Sequence, residues 1–211
     1  KVSIALVDMP NAVQTEILIG HAMTFLPSSP DYIPLLCANA ILGGSSTSRL
    51  FMNLREDKGF TYGAYSSVSP SRYMARFTAS TSVRPEVVGP AITEMLEEIK
   101  RLRQTPVTAL ELTAVKEKLI GQFIMSTEKP STVATFELNK QKYNLPDTFY
   151  KEYIKRIESV TVADIQRVVQ RYIQPDRLQL IIVGNASEIR ADLNALQIPV
   201  NDYTKEAKRI R

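Results

Sequence analysis

Two side chains with usable donor chemistry stand seven residues apart in the stretch Leu54-Arg55-Glu56-Asp57-Lys58-Gly59-Phe60-Thr61-Tyr62-Gly63-Ala64-Tyr65-Ser66. Arg55 offers a planar fork of N–H donors that suits carbonyl or carboxylate oxygens. Tyr62 offers a phenolic O–H, which stabilises developing negative charge when held in a dry site. Each also has a plainer use. Arg55 falls at the end of a helix, where it can face the helix dipole or pair with Glu56 or Asp57. Tyr62 falls where a strand begins past Gly59, and strand tyrosines commonly pack their rings on neighbours. Spacing alone favours the plainer use for the tyrosine. His21 is the single histidine, so a zinc site has no second imidazole, and a strand-end polar residue is the simpler reading. Cys37 is the single cysteine. It lies in the apolar run Ile33 to Leu42, where a small buried residue is favoured over a reactive thiol, and no internal disulfide is possible.

The elements that must position these residues follow from periodicity. Val2 to Val7 is an apolar run that reads as a strand, and Asp8-Met9-Pro10-Asn11 supplies a turn into a second strand, Val13 to Ile19, with Val13, Thr15, Ile17 and Ile19 on one face. After the loop Pro27 to Pro30, Asp31 is placed to cap a helix running to about Leu42, which Gly43-Gly44 ends in the left-handed manner of a glycine cap. Ser45 to Thr47 starts a short helix with Leu50, Phe51 and Leu54 on one stripe. Tyr62 to Val68 and Tyr73 to Val83 form a hairpin around Ser69-Pro70-Ser71, with one covered and one wetter face.

Four helical segments follow. Val88, Ile92, Met95, Ile99 and Leu102 make one apolar stripe, and Leu112, Val115, Leu119, Ile120 and Phe123 the next. Pro130 to Asn144 is the third, and Phe149, Tyr153 and Ile157 mark a shorter fourth. Thr161-Val162-Ala163-Asp164 then resembles a capping box with aspartate in place of glutamate, opening a helix that carries Ile165, Val168, Val169 and Tyr172 and stops before Pro175. Leu178 to Val183 is read as the final strand, and Asn185 onward as an exit helix and linker or tail. Early strands with grouped helices predict an α+β fold, an antiparallel-rich mixed sheet with helices on one face. Residues 1–184 are taken as one domain and residues 185–211 as what leaves it.

Composition sets outer bounds. The chain has 211 residues, 44% hydrophobic and 23% charged, which allows one sizeable buried core. No apolar run is long enough to span a bilayer as a helix. The net charge of +4 owes much to Lys205, Lys208, Arg209 and Arg211, and no aromatic-interleaved basic patch accompanies them, so nucleic acid is not an expected partner. Lys100-Arg101-Leu102-Arg103 is most simply a solvated helix face. The chain begins Lys1-Val2-Ser3-Ile4 without an initiator methionine, and is read as a piece of a longer protein.

Four places together resemble a known family. Asn39-Ala40-Ile41-Leu42-Gly43-Gly44-Ser45 with Ser48-Arg49-Leu50-Phe51, the Leu54 to Ser66 segment, Thr161 to Asp164 with Tyr172, and Leu180-Ile181-Ile182-Val183-Gly184 are similar to the non-catalytic domain of insulinase-like zinc peptidases (pitrilysin-type, mitochondrial-processing-peptidase-like). The second place is the most specific, and the likeness runs from about Val2 to Gly184. Members of that family pair a half bearing the inverted zinc motif H-x-x-E-H with a half lacking it, across a closed chamber. Here the corresponding helix, near Leu35 to Leu42, carries Cys37 and Asn39 and neither histidine nor glutamate.

The resemblance therefore implies a substrate-holding domain that completes a zinc endopeptidase site without binding metal itself. No cofactor is expected in this chain, and the zinc is expected on an H-x-x-E-H-bearing partner domain or subunit. It implies that Tyr62 donates to the oxyanion of the scissile carbonyl and that Arg55 grips the backbone of an extended peptide. It also implies that Gly43, Gly44 and Ser45 touch substrate, although the helix cap remains the better reading of the glycines. A structural subunit of the same fold, or a peptide-binding maturation factor that never cleaves, are the alternatives. The substrate is not legible, and the compartment leans only to the bacterial periplasm or envelope.

Overall fold

The computed structural model describes residues 1–210. Six strands form one sheet in the order β3-β4-β2-β5-β1-β6. They are β1 (Ser3–Asp8), β2 (Thr15–Phe25), β3 (Ala64–Ser69), β4 (Ser71–Val83), β5 (Gln179–Gly184) and β6 (Val200–Tyr203). From β3 through β4 and β2 to β5 the neighbours are antiparallel, and β1 lies parallel to both β5 and β6. The helices are α1 (Tyr32–Gly43), α2 (Arg49–Phe51), α3 (Val88–Gln104), α4 (Ala109–Thr127), α5 (Pro130–Tyr143), α6 (Tyr153–Glu158), α7 (Val162–Tyr172) and α8 (Ala186–Ala195). This is the expected antiparallel-rich α+β architecture.

One face of the sheet is dry. Ile4, Leu6, Ile17, Ile19, Phe77, Leu180 and Ile182 are at most 1% exposed. Their helical partners are the stripes of α3 (Ile92, Met95, Ile99) and α7 (Ile165, Val168, Val169), which join the same core. On the opposite face, Leu18 and Ile181 stand directly across from each other in the β2–β5 register and remain 37% and 41% exposed. Alternation along each strand thus sorts side chains between a packed side and an open one.

Several expectations are corrected. The turn after β1 leads into β2, yet the two are not neighbours, because β5 lies between them and pairs with both. β2 continues past Ile19 to Phe25, since buried His21 and Phe25 extend the inward alternation. The segment read as linker contains β6, which pairs with β1 from Ile4↔Val200 to Val7↔Tyr203. Its four residues are all half-buried, so no alternation marks them as a strand. The Lys100 to Arg103 cluster is not simply solvated: Arg103 Nη1 donates to the carbonyls of Gln170 and Ile173, each at 2.7 Å, and so closes the end of α7. At the start of that helix the capping box forms as read, with Thr161 Oγ1 accepting Asp164 N–H at 3.1 Å and the Asp164 carboxylate accepting Thr161 N–H at 3.0 Å.

Candidate functional site

The Arg55–Tyr62 segment is built on an unusual helix end. Ser48 leads into α2, and the chain continues as a π-helix over Met52–Asp57. Lys58 N–H donates to Asn53 O at 3.0 Å, five residues back, and Phe60 N–H reaches Leu54 O at 2.9 Å. A wide turn of this kind shifts every later side chain round the axis relative to an α-helix, and such turns concentrate at functional sites. It is held from α3. Asn53 Nδ2 donates to Glu98 at 2.8 Å and to Glu94 at 3.0 Å. Glu98 is 3% exposed and also accepts from Arg101 at 2.7 Å. Gly59 then takes φ +64°, the left-handed conformation that lets the chain leave the helix without a Cβ clash.

The loop that follows is pinned through backbone groups. Thr61 Oγ1 donates to Ser82 O at 2.8 Å and accepts Gly63 N–H at 3.1 Å, while Thr81 Oγ1 donates to Gly63 O at 3.0 Å. Tyr62 sits between these anchors with 86% of its surface exposed. It precedes β3, which starts at Ala64, so it neither begins the strand nor packs its ring in the sheet. The plainer use of this tyrosine is not the one adopted.

Arg55 and Tyr62 line one cleft of about 430 Å³ with Gln14, Gly59, Phe60, Thr61 and Arg84. The Arg55 guanidinium lies over the Phe51 ring, 4.9 Å from its centre, and its Nε faces Glu56 Oε1 at 3.5 Å. The side chain is 46% exposed, so the expected pairing with Glu56 coexists with access to solvent. Arg84 and Gln14 were not singled out from sequence. They flank the ends of β4 and β2, where Thr15 pairs with Val83, and Ser82 Oγ donates to Gln14 Oε1 at 3.1 Å. Only the β2–β4 register brings them to the cleft. Two guanidinium groups, a phenol and an amide give the cleft donors suited to carbonyl and carboxylate oxygens.

The other candidates lie elsewhere. A Cβ on Gly43 would stand 2.3 Å from Ser66 N, so this glycine exists to let α1 approach β3. Asn39 and Ser66 lock the same contact, Asn39 Nδ2 donating to Ser66 O at 3.2 Å and Ser66 Oγ to Asn39 Oδ1 at 2.9 Å. Gly44 ends α1 with φ −83°, which corrects the left-handed cap read from sequence. Ser45 Oγ bonds Thr47 Oγ1 at 3.1 Å. None of the three lines the cleft of Arg55 and Tyr62.

Neither His21 nor Cys37 is disposed to hold a metal. His21 is 7% exposed. With Nδ1 donating to Ala22 O at 3.1 Å and Nε2 accepting Gln174 N–H at 3.2 Å, both ring nitrogens are used. The Cys37 thiol is pushed up to about 12 by burial, far from the thiolate that binds zinc. Among the described residues no group of three or more His, Cys, Asp and Glu is placed to hold a metal ion.

A family model described as the peptidase M16 inactive domain matches residues 6–119. The uncharacterized zinc protease YmxG of Bacillus subtilis is 33% identical over 101 residues, 46% of this chain and 24% of that protein. The chain spans about a quarter to a third of the length of such curated relatives. Among solved structures, a peptidase M16 inactive domain from Pseudomonas fluorescens matches with a TM-score of 0.79 at 24% identity, covering 87% of this chain and 44% of that one. A chain of complex III2 from Candida albicans shares the fold with a TM-score of 0.75 at 14% identity, covering 91% of this chain and 48% of that one.

Proposed function

This chain belongs to the peptidase M16 inactive-domain family, and on that premise we propose that it is the substrate-holding half of a composite zinc endopeptidase site. The observation that carries the reading is Tyr62, 86% exposed on a loop fixed by Thr61 and Thr81, sharing a cleft with Arg55. An exposed phenol on a rigid backbone loses little entropy when a substrate meets it. In the proposal its O–H donates to the oxyanion that forms as the scissile carbonyl is attacked, and removal of one such donor costs roughly 10²–10³ in rate. The Arg55 fork holds carbonyls of an extended peptide beside the cleavage point, and Arg84 adds a second guanidinium to the same cleft. Zinc and its water sit on an H-x-x-E-H-bearing domain or subunit that faces this one. Substrate contact by Gly43, Gly44 and Ser45 is the lesser part of the proposal, since Gly43 is buried against β3.

The test is peptidase activity of this chain, of its H-x-x-E-H partner, and of the two together. Activity that needs both, and that falls at least a hundredfold with Tyr62→Phe at unchanged zinc content, supports the proposal. Full activity of the partner alone, unaltered by adding this chain, would sink it and leave a structural subunit or a non-cleaving peptide-binding factor.

A further inference from the structure

A second cavity, at the other end of the sheet, is lined chiefly by aromatic rings and has no part in the site above. It also measures about 430 Å³. Its mouth includes Pro27, just past the end of β2, and Pro70, in the β3–β4 turn. The Arg55 cleft includes Gln14, just before β2 begins. As β2 has 11 residues, the two lie roughly 35 Å apart at about 3.3 Å per strand residue.

The walls are rings from three segments. Phe123 of α4 lies 4.5 Å from Tyr153 and 5.7 Å from Phe136 of α5, centre to centre. Phe136 stacks on Tyr150 at 3.9 Å and 13°, and Tyr150 meets Phe149 edge-on at 5.1 Å and 80°. The cavity persists beside these stacks, because α5 has no buried residue and leans on the aromatic ladder without closing over it.

The chemistry of the lining narrows the occupant. None of its residues carries a charge. Two rings already hold cations, with the Arg156 guanidinium 5.2 Å from the centre of Phe149 and Lys142 Nζ 4.9 Å from that of Tyr143. A further cation finds no carboxylate in the wall and two ring faces already taken, and an anion finds no charged donor. Uncharged polar groups line it instead, the side-chain amides of Gln122 on α4 and Asn139 on α5 together with the hydroxyls of Ser126 and four tyrosines. We infer that this cavity binds an uncharged aromatic side chain of a polypeptide segment, its ring stacked among Phe123, Phe136 and Tyr150 and its flanking peptide groups bonded to Gln122 and Asn139. The volume is that of an ordinary ligand pocket, and offset or edge-on stacking supplies specificity for a ring. The inference needs no zinc and no partner domain, so it stands or falls apart from the peptidase proposal.

The chain contains no tryptophan, so N-acetyl-L-tryptophanamide is a probe whose emission can be excited alone. Titrated with this chain, it should show saturable, blue-shifted and polarised emission with a Kd of about 0.1–1 mM. Tryptamine and indole-3-acetate, the cationic and anionic counterparts, should bind at least about tenfold more weakly, as should N-acetyl-L-leucinamide. Filling the cavity with Ser126→Phe, or from the exposed rim with Gln122→Phe, should weaken the amide probe at least about tenfold. Backbone amides of α5 should exchange more slowly when the probe is bound. Absence of saturable binding, equal binding of tryptamine or the leucine amide, or unchanged binding to a folded filled variant would overturn the inference.

Discussion

Tyr172 donates its phenol to Asp31 Oδ2 at 2.9 Å, joining the last residue of α7 to the residue before α1 across 141 positions of sequence. Arg167 and Arg171 close on the same carboxylate. Asp31 was expected to cap α1, but its side chain makes no capping bond and turns to α7 instead. Burial alone would raise this carboxyl. The hydrogen bonds from Arg167 and Tyr172, followed by the charges of Arg167 and Arg171, outweigh burial and hold it below 3.8. A carboxyl lowered in the folded state contributes stability above its unfolded pKa and loses it as pH falls through the folded one. Arg167 and Arg171 are 49% and 67% exposed, so solvent screens part of the attraction. Asp31→Asn should cost about 2 kcal/mol at neutral pH in urea unfolding, with the difference from wild type shrinking below about pH 4.

Two glycines should fail for different reasons. Gly43→Ala places a methyl 2.3 Å from Ser66 N, backbone that cannot swing away, and should cost about 3 kcal/mol or more by prising α1 from β3. Gly59→Ala meets nothing within 4 Å but keeps φ +64°, so about 1–2 kcal/mol of backbone strain is its whole cost. Thermal melts of the two variants should separate clearly, and equal losses would contradict the contact assigned to Gly43.

His21 should make the fold sensitive to mild acid. Burial is the largest influence on the ring and lowers its pKa below 6.5; the bond to Ala22 opposes this, and Arg177 adds to the lowering. Protonation would also set an N–H on Nε2 against Gln174 N–H. A base lowered in the folded state binds its proton more readily when unfolded, so stability declines as pH drops below 6.5 and levels off beneath the folded pKa. The slope in that window should approach at most about 1.4 kcal/mol per pH unit and should vanish in His21→Gln. Denaturant midpoints measured from pH 5 to pH 8 decide it.

Cys37 should resist chemistry until the chain opens. It is fully buried with its thiol raised to about 12. A native sample should label with a thiol reagent only at the rate of unfolding, whereas a urea-unfolded one should label at once. Fast labelling of the native chain would contradict the packing of α1.

Tyr62 and Arg55 should show the reverse pattern, large for function and small for stability. At 86% exposure, Tyr62→Phe should shift stability by less than about 0.5 kcal/mol. Arg55→Lys keeps the charge and loses the fork, so in the assembled enzyme it should raise KM more than it lowers kcat. Thermal melts beside steady-state kinetics check both.

Local rules carried much of the reading. Stripes such as Ile92-Met95-Ile99 placed α3, and the Thr161–Asp164 pair placed the start of α7. Arg55 and Tyr62 were found through the segment around them and not through any pairwise rule. What escaped was non-local. β6 has no alternating pattern, the position of β5 is set by two partners distant in sequence, and Arg84 and Gln14 become neighbours only through the β2–β4 register. The π turn over Met52–Asp57 depends on carboxylates of α3 some 41 to 45 residues away. The aspartate before α1 and the glycines after it kept their helix-flanking places, but tertiary partners decided what they do.

β1 owes both of its sheet neighbours, β5 and β6, to residues beyond 178. Within this domain β1 is therefore synthesised before both of its partners and cannot be seated until they follow. Until then β1 is an apolar ribbon with two bare edges, and β2 lacks its β5 partner. Closing contacts of such sequence separation is slow, and unpaired edges invite association between chains in the meantime. The arrangement makes the order of synthesis the reverse of the order of completion, so aggregation during folding, more than the stability of the finished sheet, is where this topology is most exposed.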